Sequence, residues 1–360
     1  MRTLLILGAT GSIGTTALNA VRQKKLDVRI TGLVAHSSSD RLRALAEEFS
    51  CPFALNTDSS SLRSFIRANR ADIALNAIAG AAGLEASLFC LQEGMDLALA
   101  NKESVVMGGK VLFDEAKKNN ARIIPVDSEH SAIYHLLKGR PDAESLVITA
   151  SGGPFLGRRD LENVSPEEAA NHPTWKMGRK ISIDSSTLAN KGLEVIEAGF
   201  LFNMPADRIE VTIHRQSVVH SMVRMKDGSV YAQLSPPDMT LPIVSAVNDD
   251  RQVLHDVVRP LSFSGLTLTF QDWDRTEFPL LALAYKALER KKSYPVAFNA
   301  ADEVAVAAFC DRKIRYTDIA RIVSAVMEED WSAEITSYED IIVQDRLARL
   351  KAGQLCSCHI

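Results

Sequence analysis

Cysteine is scarce in this chain. Cys51, Cys90, Cys310, Cys356 and Cys358 are the only five in 360 residues, and they show neither a disulfide framework nor zinc-ligand spacing. A disulfide-stapled secreted domain is therefore excluded, and a reducing compartment fits best. Cys356-Ser357-Cys358 could bind a metal, but a frayed tail is the simpler reading. No uninterrupted apolar run reaches the length of a membrane span. There is no basic excess either: the net charge of −4 argues against nucleic acid as a general partner. The exception is local, from His172 to Lys180, where Lys176, Arg179 and Lys180 meet no acid. Internal repeats and low-complexity tracts are absent. The first strand-like run, Thr3–Leu7, leaves no room before it for a signal or transit peptide, so a cytoplasmic location is expected.

What remains is an ordinary globular composition, 46% hydrophobic and 24% charged, at a length that calls for two or three domains. Residues 1–150 alternate β-rich runs with amphipathic stretches. Strands are expected at Thr3–Leu7, Val28–Val34, Asp72–Ile78, Asp96–Ala100, Ala121–Val126 and Ser145–Ala150. Helices at Ser12–Gln23, Arg41–Phe49 and Leu84–Glu93 would join them in a doubly wound parallel sheet. The rhythm changes after Ser151-Gly152-Gly153-Pro154. A helix near Pro166–Asn171, another from about Thr187 to Phe202, and strands at Ile209–Ile213, Ser217–Met225 and Ser229–Leu234 suggest an α+β domain over 151–248. Asp227-Gly228 marks a hairpin between the last two strands. Residues 249–278 have no clear period and read as a linker. From 279 to 360 only helices remain, at Leu280–Arg290, Val296–Cys310, Tyr316–Glu329 and Tyr338–Lys351, as in a small bundle. The expected class is α/β: an N-terminal Rossmann-type domain, a central α+β catalytic domain and a C-terminal helical bundle.

Several groups of residues carry chemistry. Gly8-Ala9-Thr10-Gly11-Ser12-Ile13-Gly14 follows the first strand and opens a helix, the place where backbone N–H groups and the helix dipole meet a pyrophosphate. A tight turn alone would also need glycine, but the repeated βα units that follow favour a dinucleotide. The second strand ends at His36-Ser37-Ser38-Ser39 with no acid before Asp40, and Arg41 and Arg43 lie just beyond. Hydroxyls, an imidazole and arginines suit a 2′-phosphate, so NADPH is expected, although the serines could instead cap the next helix. Asn101-Lys102-Glu103 follows another strand. Lys102 there can meet an anionic substrate or the nicotinamide, or be an ordinary lysine at a helix start.

Asp127-Ser128-Glu129 ends the apolar run Ile123–Val126. Two carboxylates one residue apart at a strand end share a side and could grip a hard cation. A third ligand is needed, and Glu194 is the candidate: its neighbours Leu193, Val195 and Ile196 make an unpaired charge costly. Asn190 shares its helix face, and Ser185, Ser186, Asn190 and Lys191 offer the donors a phosphate needs. The alternative is an N-cap and a solvated glutamate. Ser151-Gly152-Gly153 exposes backbone N–H groups at a strand end, or merely joins two domains. His172-Pro173-Thr174-Trp175-Lys176-Met177-Gly178 reads as a lid loop or as a place where Trp175 packs. His214 and His220 read as structural.

These residues resemble the 1-deoxy-D-xylulose 5-phosphate reductoisomerase family through GATGSIG (8–14), ANKE (100–103), PVDSEH (125–130), SGGPF (151–155), HPTWKMGRKISIDSSTLANKGLE (172–194), HSMV (220–223) and PDM (237–239). Arg215, Asp302 and Ser235-Pro236 depart from the family pattern at positions given no chemical role. The resemblance implies a two-stage reaction of a sugar phosphate. A divalent metal (Mg²⁺ or Mn²⁺, with Co²⁺ possible) held by Asp127, Glu129 and Glu194 acts as a Lewis acid in a skeletal rearrangement through retro-aldol fragments. Hydride from NADPH then gives 2-C-methyl-D-erythritol 4-phosphate, a step of non-mevalonate isoprenoid synthesis. It implies catalytic roles for Lys102, Glu129 and His172. Substrate contacts would come from Lys102, Ser128, Glu129, Ser151, His172, Ser185, Asn190, Lys191 and Glu194. Cofactor contacts would come from Thr10, Gly11, Ser12, Ile13, His36, Ser37, Asn101, Glu103 and Gly178. Together with the mid-chain strands it suggests a homodimer, while the net charge and the lack of a long apolar run leave no nucleic acid or membrane partner expected.

Three rivals stand beside this reading. A homoserine-dehydrogenase-like oxidoreductase would lack the paired Asp-x-Glu and the long 172–194 block. Aspartate-semialdehyde dehydrogenases need a mid-chain cysteine, and none lies between Cys90 and Cys310. A non-catalytic NADP-binding sensor would have no use for three carboxylates.

Overall fold

The computed structural model describes residues 1–37, 39–140, 142–175, 177–249 and 254–358. Ser38, Lys176 and part of the expected linker, 250–253, lie outside the described residues. The chain begins with β1 (Arg2–Leu7), α1 (Ser12–Arg22), β2 (Val28–Ala35), α2 (Ser39–Glu48), β3 (Phe53–Leu55) and α3 (Ser59–Ala68). It goes on through β4 (Ile73–Asn76), α4 (Gly83–Gln92), β5 (Asp96–Leu99), α5 (Lys102–Lys118), β6 (Ile123–Pro125) and α6 (Ser128–Leu137). Then come β7 (Ala143–Ala150), α7 (Pro166–Ala169), α8 (Arg179–Ser186), α9 (Ala189–Leu201), β8 (Ile209–Ile213), β9 (Val219–Met225) and β10 (Val230–Leu234). The last helices are α10 (Thr240–Asn248), α11 (Pro279–Arg290), α12 (Tyr294–Cys310), α13 (Tyr316–Met327) and α14 (Tyr338–Ser357). Two compact units result. One comprises 1–105, 109–135 and 238–261, and the other 106–108, 136–237 and 262–360.

The first unit is built on a six-stranded sheet in the order β3-β2-β1-β4-β5-β6, parallel throughout. Its central strands are near-continuous aliphatic runs because helices cover both faces, and Leu4 to Leu7 are all fully buried. The order reverses at β1, so the turn after β1 sits at the switch point where doubly wound sheets bind ligands. Helix starts carry side-chain caps where the backbone has no other partner: Asp58 receives the Ser61 N–H ahead of α3, and Asn101 that of Ser104 ahead of α5. α10 was not foreseen. Its sequence, TLPIVSAVN, is buried from Pro242 through Val247, so it shows no polar face and no helical period. Ile243, Val244, Ala246 and Val247 join the same core as Leu18, Leu26 and Ile30.

The second unit holds a four-stranded mixed sheet, β10-β9-β7-β8. β7, expected as the last strand of the doubly wound sheet, instead lies here, parallel to β8 and antiparallel to β9. An isolated apolar strand does not reveal which sheet it will join. The Asp227-Gly228 turn links β9 and β10 as expected, and Gly228 takes φ +87°. Part of the expected linker continues this sheet: Gln271 and Ile213 exchange backbone hydrogen bonds at 2.8 and 3.0 Å. The four C-terminal helices occur where periodicity put them. α14 opens with a capping box between Ser337 and Asp340. No described helix is long and apolar enough to cross a membrane.

Candidate active site

In the first unit the dinucleotide loop is shaped by backbone. Gly8 sits at φ +86°, and a Cβ there would run into the Ala77 carbonyl; a Cβ on Gly14 would run into Gly8 and Ala9. Only glycine lets β1, the turn and α1 approach this closely. The Gly8 and Ala9 N–H groups both donate to Val34 O at 2.8 Å, which fixes the turn. Gly11 is the N-cap of α1 and brings no side-chain cap, so the first-turn N–H groups of Ser12 and Ile13 face a position suited to an anion. The cradle fits a pyrophosphate. His36 and Ser37 are exposed at the tip of β2, and Nδ1 of His36 lies 3.2 Å from Asn56 O. Arg41 reaches back to Thr15 Oγ1 at 3.0 Å.

Asn101 caps α5 and also donates to Gly80 O at 2.9 Å and to Glu103 at 2.8 Å. Both residues therefore order the helix start, whatever else they touch. Lys102, 5% exposed, places its ammonium 2.5 Å from Asp127. β6 ends at Pro125 and α6 begins at Ser128, so Asp127 precedes a helix and Glu129 lies in its first turn. Their proximity, oxygens within 4.8 Å of one another, comes from the helix start rather than from β alternation. Ser128 Oγ donates to Glu129 at 2.5 Å. Burial would push the Asp127 carboxyl up, but Lys102 and His130, whose Nδ1 is 3.6 Å away, outweigh it and hold the group well below the usual carboxylate range. Asp127 is thus an anion of the kind a hard cation binds. His130 received no role from the sequence; its i+3 spacing from Asp127 was the available signal.

In the second unit, Ser151 directly follows β7 and the chain turns sharply at Gly152 and Gly153, with φ of +81° and +66°. A Cβ on Gly153 would lie 2.7 Å from Ser185 O, so the turn packs directly on the end of α8. His172 Nδ1 accepts the backbone N–H groups of Thr174 (3.1 Å) and Trp175 (2.9 Å). Burial, with the Lys191 cation adding to it, pushes the His172 pKa down to about 4. The ring is therefore neutral at pH 7 with its proton on Nε2, which donates to Ser151 Oγ at 2.9 Å. Gly153 N–H also donates to that oxygen, at 3.2 Å. With two donors received, the Ser151 hydroxyl is left to donate its own proton.

α8 carries Ser185 and Ser186. Leu188, held at φ +55°, turns the chain into α9. There Asn190 and Lys191 both engage Glu194, at 2.6 and 2.5 Å, and Glu194 is 1% exposed. The expectation that this carboxylate would need partners is met by its own helix. Trp175 stands 6.2 Å from the His220 ring, and His220 Nε2 is 2.9 Å from Ser235 Oγ. His214 is likewise structural: Nδ1 donates to Thr269 O at 2.9 Å, and Nε2 accepts the Val218 and Val219 N–H groups.

A dinucleotide cradle in one unit and a serine, histidine and lysine cluster beside a buried glutamate in the other describe no single family by themselves. Sequence comparison decides. The family description "1-deoxy-D-xylulose 5-phosphate reductoisomerase" matches residues 4–65 and 54–109, and C-terminal domains of the same family match 123–202 and 234–351. The reductoisomerase of Treponema denticola is 43% identical over 96% of this chain and 95% of its own. The chain belongs to the 1-deoxy-D-xylulose 5-phosphate reductoisomerase family. The Thermodesulfovibrio yellowstonii reductoisomerase is 41% identical over 98% of both chains. A solved reductoisomerase in complex with NADPH, fosmidomycin and magnesium superposes with a TM-score of 0.91 at 38% identity, covering 99% of this chain and 98% of that one. The Zymomonas mobilis reductoisomerase in complex with NADPH gives 0.90 at 35% identity, covering 99% of each chain. The homoserine-dehydrogenase-like and sensor readings are not favoured.

Proposed function

We infer that this chain is an NADPH- and divalent-metal-dependent oxidoreductase that rearranges and reduces 1-deoxy-D-xylulose 5-phosphate to 2-C-methyl-D-erythritol 4-phosphate. The observation that carries this is full-length similarity to reductoisomerases, one of them solved with NADPH and magnesium. The residue roles that follow are part of the proposal. Thr10, Gly11, Ser12 and Ile13 bind the pyrophosphate of NADPH, and His36 and Ser37 face the 2′-phosphate. Asn101, Glu103 and Gly178 line the rest of the cofactor. Asp127, Glu129 and Glu194 hold Mg²⁺ or Mn²⁺, and three carboxylates are the hard oxygen donors such ions take.

The bound cation would supply Lewis acidity at the ketone and hydroxyl oxygens of the substrate. NADPH supplies the hydride. The chain's own residues do the holding. Ser151 donates its hydroxyl proton to the substrate phosphate, because its acceptor capacity is taken by His172 and Gly153. Ser185, Asn190 and Lys191 add donors, and neutral His172 orients Ser151 without bringing a second cation beside Lys191. Lys102 keeps Asp127 ionised, and with Ser128 and Glu129 it positions the reacting carbons. We also infer a homodimer, a cytoplasmic location and a lid role for His172–Arg179. Purified chain should oxidise NADPH only when the pentulose phosphate and a divalent cation are both present. Cation-independent oxidation, or none with the pentulose phosphate, would overturn the reading.

A further inference from the structure

α8 begins without a side-chain cap: Gly178 is its N-cap, and none of the described side chains closes its first turn. What tethers that turn is Lys180, whose ammonium lies 2.6 Å from Asp184, one turn on, and 3.0 Å from Asp302 of α12. Both carboxyl groups are out of water, at 2% and 0% exposure. One cation thus faces two buried acids. Asp302 Oδ1 is buried and, among the described residues, receives no N–H or O–H donor. The Asp184 carboxyl lies within hydrogen-bonding reach of the Asp302 carboxyl. Two adjacent buried carboxylates that share Lys180 cannot both stay ionised cheaply in such surroundings. A proton between them removes one of the two buried negative charges and gives Oδ1 of Asp302 a partner.

We propose that Asp302 is a positioning residue for α8, clamping Lys180 from the helical region while the Asp184–Asp302 pair shares one proton. The clamp fixes the turn from Gly178 to Ser182 and, through it, the register of Ser185 and the Gly153 turn that packs on it. Burial holds the Asp302 pKa above the usual aspartate range, with Glu303 adding to this and Lys180 and Asp184 opposing it. The other charges around α12 are paired or distant. Arg349 of α14 is engaged with Glu303 and Asp345, Asp318 of α13 with Arg321, and Lys191 of α9 with Glu194. Arg179 of α8 turns to Glu167, and α11 carries its charges near its C-terminal end. Raising the pH through the titration of the pair adds a second buried negative charge, which weakens the clamp and frees the start of α8.

The link to Ser185 and the substrate phosphate rests on the function proposed above, whereas the clamp itself does not. The test is hydrogen exchange of the substrate-free chain across residues 178–186 as a function of pH, in the natural chain, Asp302→Asn and Asp302→Ala. In the natural chain protection should fall as the pair deprotonates. Asp302→Asn stays neutral and keeps an acceptor for Lys180, so its protection should persist at a pH where the natural chain has lost it. Asp302→Ala should lose protection several-fold at every pH, only in this segment, with KM for the sugar phosphate raised several-fold and kcat within about twofold. Protection in the natural chain that does not vary with pH, Asn behaving like Ala, or loss spread over the whole unit would each overturn the proposal. Exchange as expected in a chain that does not turn over the pentulose phosphate would support the clamp and sink the functional reading instead.

Discussion

The two units hold charge in opposite ways. The first offers an anion the ends of its backbone: glycines at the β1–α1 turn and an uncapped helix start. The second keeps formal charges inside, on α8, α9 and α12, and balances them pair by pair, as with Lys191 and Glu194. A backbone site costs little to maintain, since its N–H groups are unsatisfied at any helix start. A buried pair is different. Removing one member strands the other, so its stability and its chemistry are coupled.

That contrast can be broken most sharply at Glu194. Glu194→Gln should lower kcat by about 10³-fold or more through loss of a metal ligand. It should also cost about 1–3 kcal/mol of stability, because the Lys191 ammonium loses the charge it faces at 2.5 Å. Turnover assays and urea denaturation measure the two; near-normal turnover would place the third ligand elsewhere. In the first unit the matching change is Gly14→Ala, which puts a methyl against the Gly8–Ala9 backbone. We expect about 1–3 kcal/mol of destabilisation and weaker NADPH binding, read by calorimetry, since overpacking here shifts the cradle itself. Unchanged affinity would mean that the turn does not set the pyrophosphate site.

Cofactor choice sharpens the comparison further. Charge-assisted contacts to a 2′-phosphate of about 1.5–3 kcal/mol predict a ten- to hundredfold preference for NADPH over NADH in kcat/KM. Equal values would remove the role given to His36 and Ser37. The smallest effect concerns His172. Its folded pKa of about 4 lies below that of an exposed histidine, near 6.5. The stability it contributes is whole above the unfolded pKa and is lost as pH falls through the folded one. The Tm of the natural chain should therefore drop between about pH 6.5 and 4 more than that of His172→Gln. Parallel curves would show that the ring is not held neutral.

The doubly wound sheet was legible because glycine at a strand-to-helix turn, aliphatic runs and amphipathic helices recur in register. The C-terminal helices were legible for the same reason. β7 was read as a strand but in the wrong sheet, since partner choice depends on residues far along the chain. α10 escaped because a helix buried all round has no period to detect. At the site, the need of Glu194 for partners could be argued from its apolar neighbours. The Lys180–Asp184–Asp302 cluster could not, as Asp302 lies more than a hundred residues away and looks like any helical aspartate. His172 was legible as a candidate, but its neutrality was not, because that depends on burial and on Lys191.

The return of residues 238–261 to the first unit has a consequence for synthesis. The sheet strands are complete by Pro125, yet α10, which shares their core, emerges only after about a hundred further residues. At roughly 5–20 residues per second the nascent N-terminal unit waits some 5–20 s with Leu18, Leu26 and Ile30 incompletely covered. Such an intermediate is an obvious client for a holdase. A fragment ending at Pro237 should bind a hydrophobic dye that the whole chain does not, and a fragment that stays dye-free would show that the first unit closes without its late helix.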